Sequence, residues 1–264
     1  MPVRAMWKGV IRFGAVSVPI KLYAAVQDRA VHFRLLHQAD LAPVQQKMVH
    51  PKTGEPVPPE AIQRGYETDT GEIIVLSQEE LKDLEPPESR VIRITRFIDP
   101  ARVNHQWYDR PYYMGPDTDR KAYFALTAAL RRQGVQGIAQ WTMRKKSYFG
   151  ALQASGGYLK MITLHPAEEI VDVSGLQTPR FRELSRQELQ MAQQLVGMLE
   201  ADFDPSQYQD EYRLRLYELM KTKARGETVE FKKARPRQAT VVSLEEVLKQ
   251  SITKAEEEKK HARG

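Results

Sequence analysis

The chain has no cysteine among its 264 residues. That excludes disulfide frameworks, thiolate nucleophiles and every zinc site built on thiolates. A metal would have to be held by histidine and carboxylates. The six histidines (His32, His37, His50, His105, His165 and His261) are scattered, and no two stand at the i, i+4 spacing of two-histidine helical sites. Neither a metal nor a cofactor is expected. Long apolar runs are also missing: no stretch approaches the roughly 20 residues a membrane-spanning helix needs, and the first residues lack the basic-then-apolar pattern of a secretion signal. These absences predict a cytoplasmic protein with no membrane contact.

Catalytic motifs are equally scarce. There is no Gly-Lys-Ser/Thr phosphate loop, no G-x-G-x-x-G after a strand and no G-x-S-x-G elbow. Lys52-Thr53-Gly54 and Ser251-x-x-Lys254 resemble fragments of penicillin-binding enzymes, but in reversed order, and read as coincidence. Asp99, Asp109, Asp117 and Asp119 share one stretch, yet the last two suit helix caps better than a two-metal centre. No enzymatic activity is expected.

What the chain does have is positive charge. Forty Lys and Arg against 34 Asp and Glu give a net charge of +6 and a pI near 9.3, which favours an anionic partner because neutralised phosphates release counterions. The total alone does not identify that partner. The placement of the charges matters more.

Short strand signals dominate the first two thirds. Residues 6–25 read as two strands around a turn, broken by Gly9, Gly14 and Pro19. Further strand patterns lie at 72–76, 90–97, 106–113, 137–143 and 157–164, with one helix at 122–132 capped by Asp117, Thr118 or Asp119 and stopped by Gly134. Many short strands between Gly/Pro turns predict a barrel or a sandwich. Between 42 and 65, Pro43, Pro51, Pro56, Pro58 and Pro59 oppose regular structure and predict an extended excursion with a turn at Lys52-Thr53-Gly54.

After about Val173 the pattern turns helical. Ser185-x-x-Glu188 opens a helix with Leu189, Ala192, Val196 and Leu199 on one face, and Asp204-Pro205 breaks it. A second helix carries Tyr208, Tyr212, Leu216, Leu219 and Lys223 to Gly226. Residues 221–237 are a basic linker, and Ser243-x-x-Glu246 starts a short amphipathic helix with Leu244, Val247, Leu248 and Ile252 on one side.

The opening Met6-Trp7-Lys8-Gly9-Val10-Ile11-Arg12-Phe13-Gly14 and Val16-Ser17-Val18-Pro19-Ile20-Lys21-Leu22-Tyr23 closely resemble the first strands of bacterial Ku proteins. Gly65-Tyr66-Glu67 with Ile73-Ile74-Val75-Leu76-Ser77 and Glu79-Glu80-Leu81 is similar to the family's next segment. Tyr112-Tyr113-Met114 through Ala139-Gln140-Trp141-Thr142-Met143-Arg144 resembles its strand–helix–strand region, and Tyr217-Glu218-Leu219-Met220-x-x-Lys223 with Gly226 the end of its helical arm. The blocks follow the family's order. The resemblance implies an α+β fold: a mainly antiparallel β-barrel core over 1–175 with an extended bridge excursion at about 38–66, a C-terminal helical arm over 176–226, and a basic linker with an amphipathic helix over 227–264.

The same resemblance implies a nucleoid-associated, non-catalytic homodimeric ring on the ends of double-stranded DNA, acting in non-homologous end joining with an ATP-dependent ligase, ligase D. Some members carry cysteines in the excursion; this chain has none, so zinc is not expected there. For DNA contact the candidates are Arg34, Lys47, Lys52 and Arg64 near the excursion, Arg144, Lys145 and Lys146 after a strand, and Lys232, Lys233, Arg235 and Arg237 in the linker. The competing reading is ordinary solvated charge. For ligase docking the candidates are Tyr217, Leu219, Met220 and Lys223. Trp7, Trp107, Trp141, Tyr112 and Tyr113 could stack on bases, but aromatics in strands more often fill a core or an interface. A general basic nucleic-acid-binding barrel without end specificity would show the same composition.

Overall fold

A computed structural model describes residues 4–176, 184–227, 247–249 and 251–253. The chain divides into two compact units, Met1–Val173 and Ser174–Gly264.

The first unit is built on a closed barrel. Its strands are β1 (Trp7–Phe13), β2 (Val16–Ala24), β5 (Val91–Ile98), β6 (Tyr108–Pro116), β7 (Gln136–Met143), β8 (Lys146–Ser155) and β9 (Tyr158–Leu164), while β3 (Arg64–Glu67) and β4 (Ile73–Leu76) pair separately. Around the barrel the order is β1-β2-β6-β9-β8-β7-β5. Neighbours are antiparallel except β5, which runs parallel to β1 and closes the ring through Val10↔Val91 and Arg12↔Arg93. Period-two alternation sends Ile11, Val18, Ile20, Leu22, Ile92, Leu159 and Met161 inward, each fully buried. Each such side chain contributes about 2 kcal/mol of transfer free energy.

Pro19 does not break β2 as its residue type predicts. It lies where the β6 ladder ends: its carbonyl accepts from the Asp117 amide at 3.2 Å, and the amide hydrogen it lacks has no strand residue to reach, because the β2–β6 register begins at Ile20↔Pro116. Strand β8 carried no alternation signal, since Gly150, Ala151 and Leu152 are buried consecutively. The helix α2 (Arg120–Gln133) is capped by Asp119, whose carboxylate accepts from the Ala122 amide at 2.9 Å, and ends on Gly134 at φ +63. It covers the interior with Tyr123, Leu126 and Leu130.

The pairings define two mouths. Trp7, Ala24, Val91, Tyr108, Met143, Lys146 and Leu164 all begin or end strands at one of them; Phe13, Val16, Ile98, Pro116, Gln136, Ser155 and Tyr158 lie at the other. Helix α2 joins β6 to β7 across the second mouth. The chain leaves the first mouth after Ala24 and returns to it at Val91, so the excursion is longer on both sides than its proline-rich centre announced. It contains the turn at 52–54, where the His50 and Gly54 amides donate to Glu55 and His50 carbonyls, the β3–β4 hairpin, and the short helix α1 (Gln78–Asp83) with its Ser77/Glu80 capping box. The strand expected at 72–76 is therefore β4, outside the barrel. From Tyr23 through Val91 no residue is buried.

The second unit contains α3 (Arg186–Leu199), opened by the reciprocal Ser185/Glu188 box, and α4 (Glu211–Ala224), capped by Asp210. Tyr208 lies ahead of α4 and not within it. In α3 the covered stripe is Glu188, Met191, Ala192, Leu195 and Met198. Leu189, Val196 and Leu199, which share one face by spacing, are 48%, 70% and 65% exposed. Residues 247–249 and 251–253 are helical; Ser243 and Leu244 lie outside the described residues. Among the described residues no helix is long and apolar enough to cross a membrane.

Candidate nucleic-acid interface

Hairpin β7–β8 turns through Arg144 and Lys145 alone, with Met143 paired to Lys146. Both turn residues have positive φ, 51° and 64°. Asn-Gly suits this geometry far better, because a Cβ in the left-handed region crowds the following carbonyl and costs roughly 1–2 kcal/mol per residue. Two long cations are thus held, against backbone preference, at the mouth from which the excursion departs.

A concavity of about 590 Å³ opens beside them, lined by Lys8, Arg90, Arg144 and Lys145 with Glu88 as the lining carboxylate. Lys145 has the shorter ion pair of these cations, its Nζ 2.8 Å from Glu85 Oε2. The bond and the charge of Glu85 raise its pKa above the ordinary lysine value. Lys8 is drawn the other way, 3.5 Å from Asp117, which also holds Lys21 at 2.9 Å. Asp117 is pushed below the usual carboxylate range, chiefly by the Lys21 hydrogen bond.

A second basic feature lies on the outer wall. The register runs Ser17–Arg12–Arg93–Gln140–Phe149 across β2, β1, β5, β7 and β8, every member exposed. Arg12 and Arg93 stand directly side by side, and among the described residues neither has an ion pair. Adjacent like charges in a sheet cost a few tenths of a kcal/mol or more unless an anion relieves them. Beside the row is a shallow hollow of about 340 Å³, lined by Ser89, Arg93, Gln140, Thr142, Ser147 and Phe149 among others. Its hydroxyls and guanidinium can donate to phosphate oxygens.

The other candidates fall as follows. Arg34, Lys47 and Lys52 lie exposed along the excursion and Arg64 pairs with Leu76 in its hairpin; none is ion-paired among the described residues. Arg144, Lys145 and Lys146 come together at the mouth. Lys232, Lys233, Arg235 and Arg237 lie outside the described residues. On α4, Tyr217, Met220 and Lys223 are exposed, whereas Leu219 sits on the half-buried side with Leu216. Trp141 and Tyr112 are buried, so neither can stack on a base; Tyr113 is 42% exposed and meets Tyr158 edge-on.

Sequence reasoning missed Lys8, Arg12, Arg90 and Arg93. Alternation marks Arg12 and Arg93 as outward, but their adjacency depends on a parallel pairing between residues 81 positions apart, and no local signal carries it.

The Ku70/Ku80 beta-barrel domain family matches residues 12–191 of this chain. The non-homologous end joining protein Ku 2 of Geotalea uraniireducens is 37% identical over 85% of this chain and 87% of its own length. Those of Coxiella burnetii and Bacillus subtilis, each a non-homologous end joining protein Ku, are 33% and 35% identical, covering 100% and 95% of this chain and 99% and 82% of themselves. The family match runs through every barrel strand from Arg12 on into the first arm helix, and the identities extend over nearly the whole chain, which a shared barrel alone would not produce: the chain belongs to the Ku family of non-homologous end joining proteins.

Proposed function

We propose that this protein is a non-catalytic homodimeric ring that threads onto ends of double-stranded DNA, holds the duplex by phosphate contacts without reading sequence, and recruits an ATP-dependent ligase, ligase D. One observation carries the reading. The excursion between Ala24 and Val91 has no buried residue, yet it is anchored at both ends to one barrel mouth and leaves Phe33, Leu35, Met48 and Ile73 between 61% and 69% exposed. A segment without a core of its own does not offset its conformational entropy, and an isolated two-stranded hairpin is marginal at best. Apolar burial against a second copy and phosphate contact on the basic side supply what it lacks.

The cations at that same mouth and the Arg12–Arg93 pair give the duplex-facing charge in this reading, and backbone contacts alone suffice for a factor indifferent to sequence. The exposed α3 side chains Leu189, Val196 and Leu199 add self-complementary apolar area for the dimer. Tyr217, Met220 and Lys223 on α4 form the ligase-facing patch. Competition between linear and covalently closed duplex of one sequence tests the proposal. Linear DNA should compete and circles should not; equal competition per base pair would make this a general basic barrel.

A further inference from the structure

At the mouth farther from the excursion, α2 leaves an apolar groove of about 400 Å³, floored by Phe13, Val16, Phe97, Leu126, Leu130 and Val135. Phe13 and Phe97 meet edge-to-face at 5.7 Å, and Val16 and Phe97 remain 44% and 42% exposed. Its helical wall is small: Ala122, Ala125 and Ala129 line it, so another helix could approach closely, as small residues at helix crossings allow. At 100° per residue, Lys121, Ala125, Ala129 and Arg132 fall along one edge of the helix. The alanine ridge thus has a cation at each end, eleven residues apart, or about 16 Å at 1.5 Å per residue.

The charge pattern is one-sided. Helix α2 carries Arg120, Lys121, Arg131 and Arg132 and no acidic residue, and none of the four cations has an ion pair among the described residues. Two of these cations occupy the first turn, where the helix dipole disfavours positive charge. An anionic partner would relieve both conditions. Duplex DNA does not suit the groove, because its floor offers only Gln133 as a polar side chain.

We propose that this groove is a docking site for an acidic amphipathic helix of a partner protein, about three turns long, with apolar side chains seated against Phe13, Val16 and Phe97 and carboxylates meeting Lys121 and Arg132. It lies at the opposite barrel mouth from the excursion. A partner can therefore bind there while the first mouth is occupied. The inference does not depend on the ring, and its test does not use DNA binding as its readout.

The probe is a fluorescein-labelled synthetic 15-residue helix with leucines at i, i+4 and i+7 and paired glutamates at both ends, titrated into the full-length protein by anisotropy. Saturable binding is expected, weakened about tenfold or more by Ala129→Glu, a change at an exposed position that melting should show to be folded. The double variant Lys121→Glu/Arg132→Glu should lose the acidic probe and gain a probe whose glutamates are replaced by lysines. A merely structural role for these residues would not produce that exchange. Equal binding of the acidic probe to wild type and both variants overturns the proposal, as does absence of saturation. Displacement of the probe by short duplex DNA also overturns it, assigning the groove to the nucleic-acid surface, while linear-DNA binding by wild type is scored separately and bears only on the ring.

Discussion

The Nζ of Lys145 lies 2.8 Å from Oε2 of Glu85, joining the β7–β8 hairpin to the segment that brings the chain back from its excursion. One of the mouth's cations is therefore already matched by a carboxylate of the same chain. Both partners are substantially exposed, so the pair adds little to stability. Its effect is on the charge available to a phosphate. Glu85→Gln should strengthen DNA binding by a few-fold and steepen the dependence of log affinity on log salt, with the melting temperature almost unchanged. Arg144→Ala should weaken binding more than Lys145→Ala. An unchanged slope in folded Arg144→Ala would remove that residue from the DNA surface.

The hairpin turn offers a separation of charge from backbone. Replacing Arg144 and Lys145 by Asn and Gly supplies the pair that two positive-φ positions favour, so thermal stability should rise, by about 1 kcal/mol or somewhat more. DNA affinity should fall at the same time. Chemical denaturation and a gel-shift titration on the same sample read the two effects; a variant that gained stability and kept full affinity would show that the turn's cations do not touch DNA.

Tyr123 pins α2 into the barrel. Its hydroxyl donates to the Met114 carbonyl at 2.5 Å and accepts from the Leu159 amide at 2.8 Å, all three residues being buried. Burial pushes the phenol's pKa up, so it remains a donor at any physiological pH. Tyr123→Phe leaves a carbonyl and an amide unsatisfied and should destabilise the fold by about 1–3 kcal/mol in urea unfolding. A loss under 0.5 kcal/mol would mean the two strands repair the gap between themselves.

Much of this was legible locally. A capping residue among 117–119 before a helix-forming run, Gly134 after it, the Ser185/Glu188 box and the strand pattern at 90–97 each depend on neighbours within a turn or a strand, and the structure follows them. What was not legible has a different cause. Leu189, Val196 and Leu199 form an apolar face by spacing and stay exposed, while Glu188, Met191 and Leu195 are covered within the chain; spacing alone does not say which of two stripes the chain itself covers, because that depends on what the helix packs against. Arg12 and Arg93 become neighbours only through barrel closure, and Gly150-Ala151-Leu152 hides β8 because three buried residues in succession erase the period of two.

Asp117 sets a pH dependence with a defined sign. Its carboxyl, held between Lys21 and Lys8, titrates below its ordinary value of 3.8 in the folded chain. The folded state therefore binds the proton more weakly than the unfolded chain does, so the contribution is fully present above about pH 4 and is lost as pH falls through the lowered value. Asp117→Asn should lower the melting temperature slightly at pH 7, and wild type and variant should converge in acid. If their melting curves stay parallel from pH 6 to pH 2.5, the lysine contacts contribute nothing to folding.

Threading itself can be tested by topological trapping. The protein is bound to a linear duplex with cohesive ends, the duplex is sealed into a circle by an added ligase, and the complex is challenged with about 1 M salt, where the Debye length of about 3 Å screens exposed phosphate contacts. The ring account predicts that the protein stays on the sealed circle, is released when a restriction enzyme reopens it, and cannot load onto a circle sealed beforehand. Dissociation from the sealed circle at the same rate as from the linear duplex would contradict it.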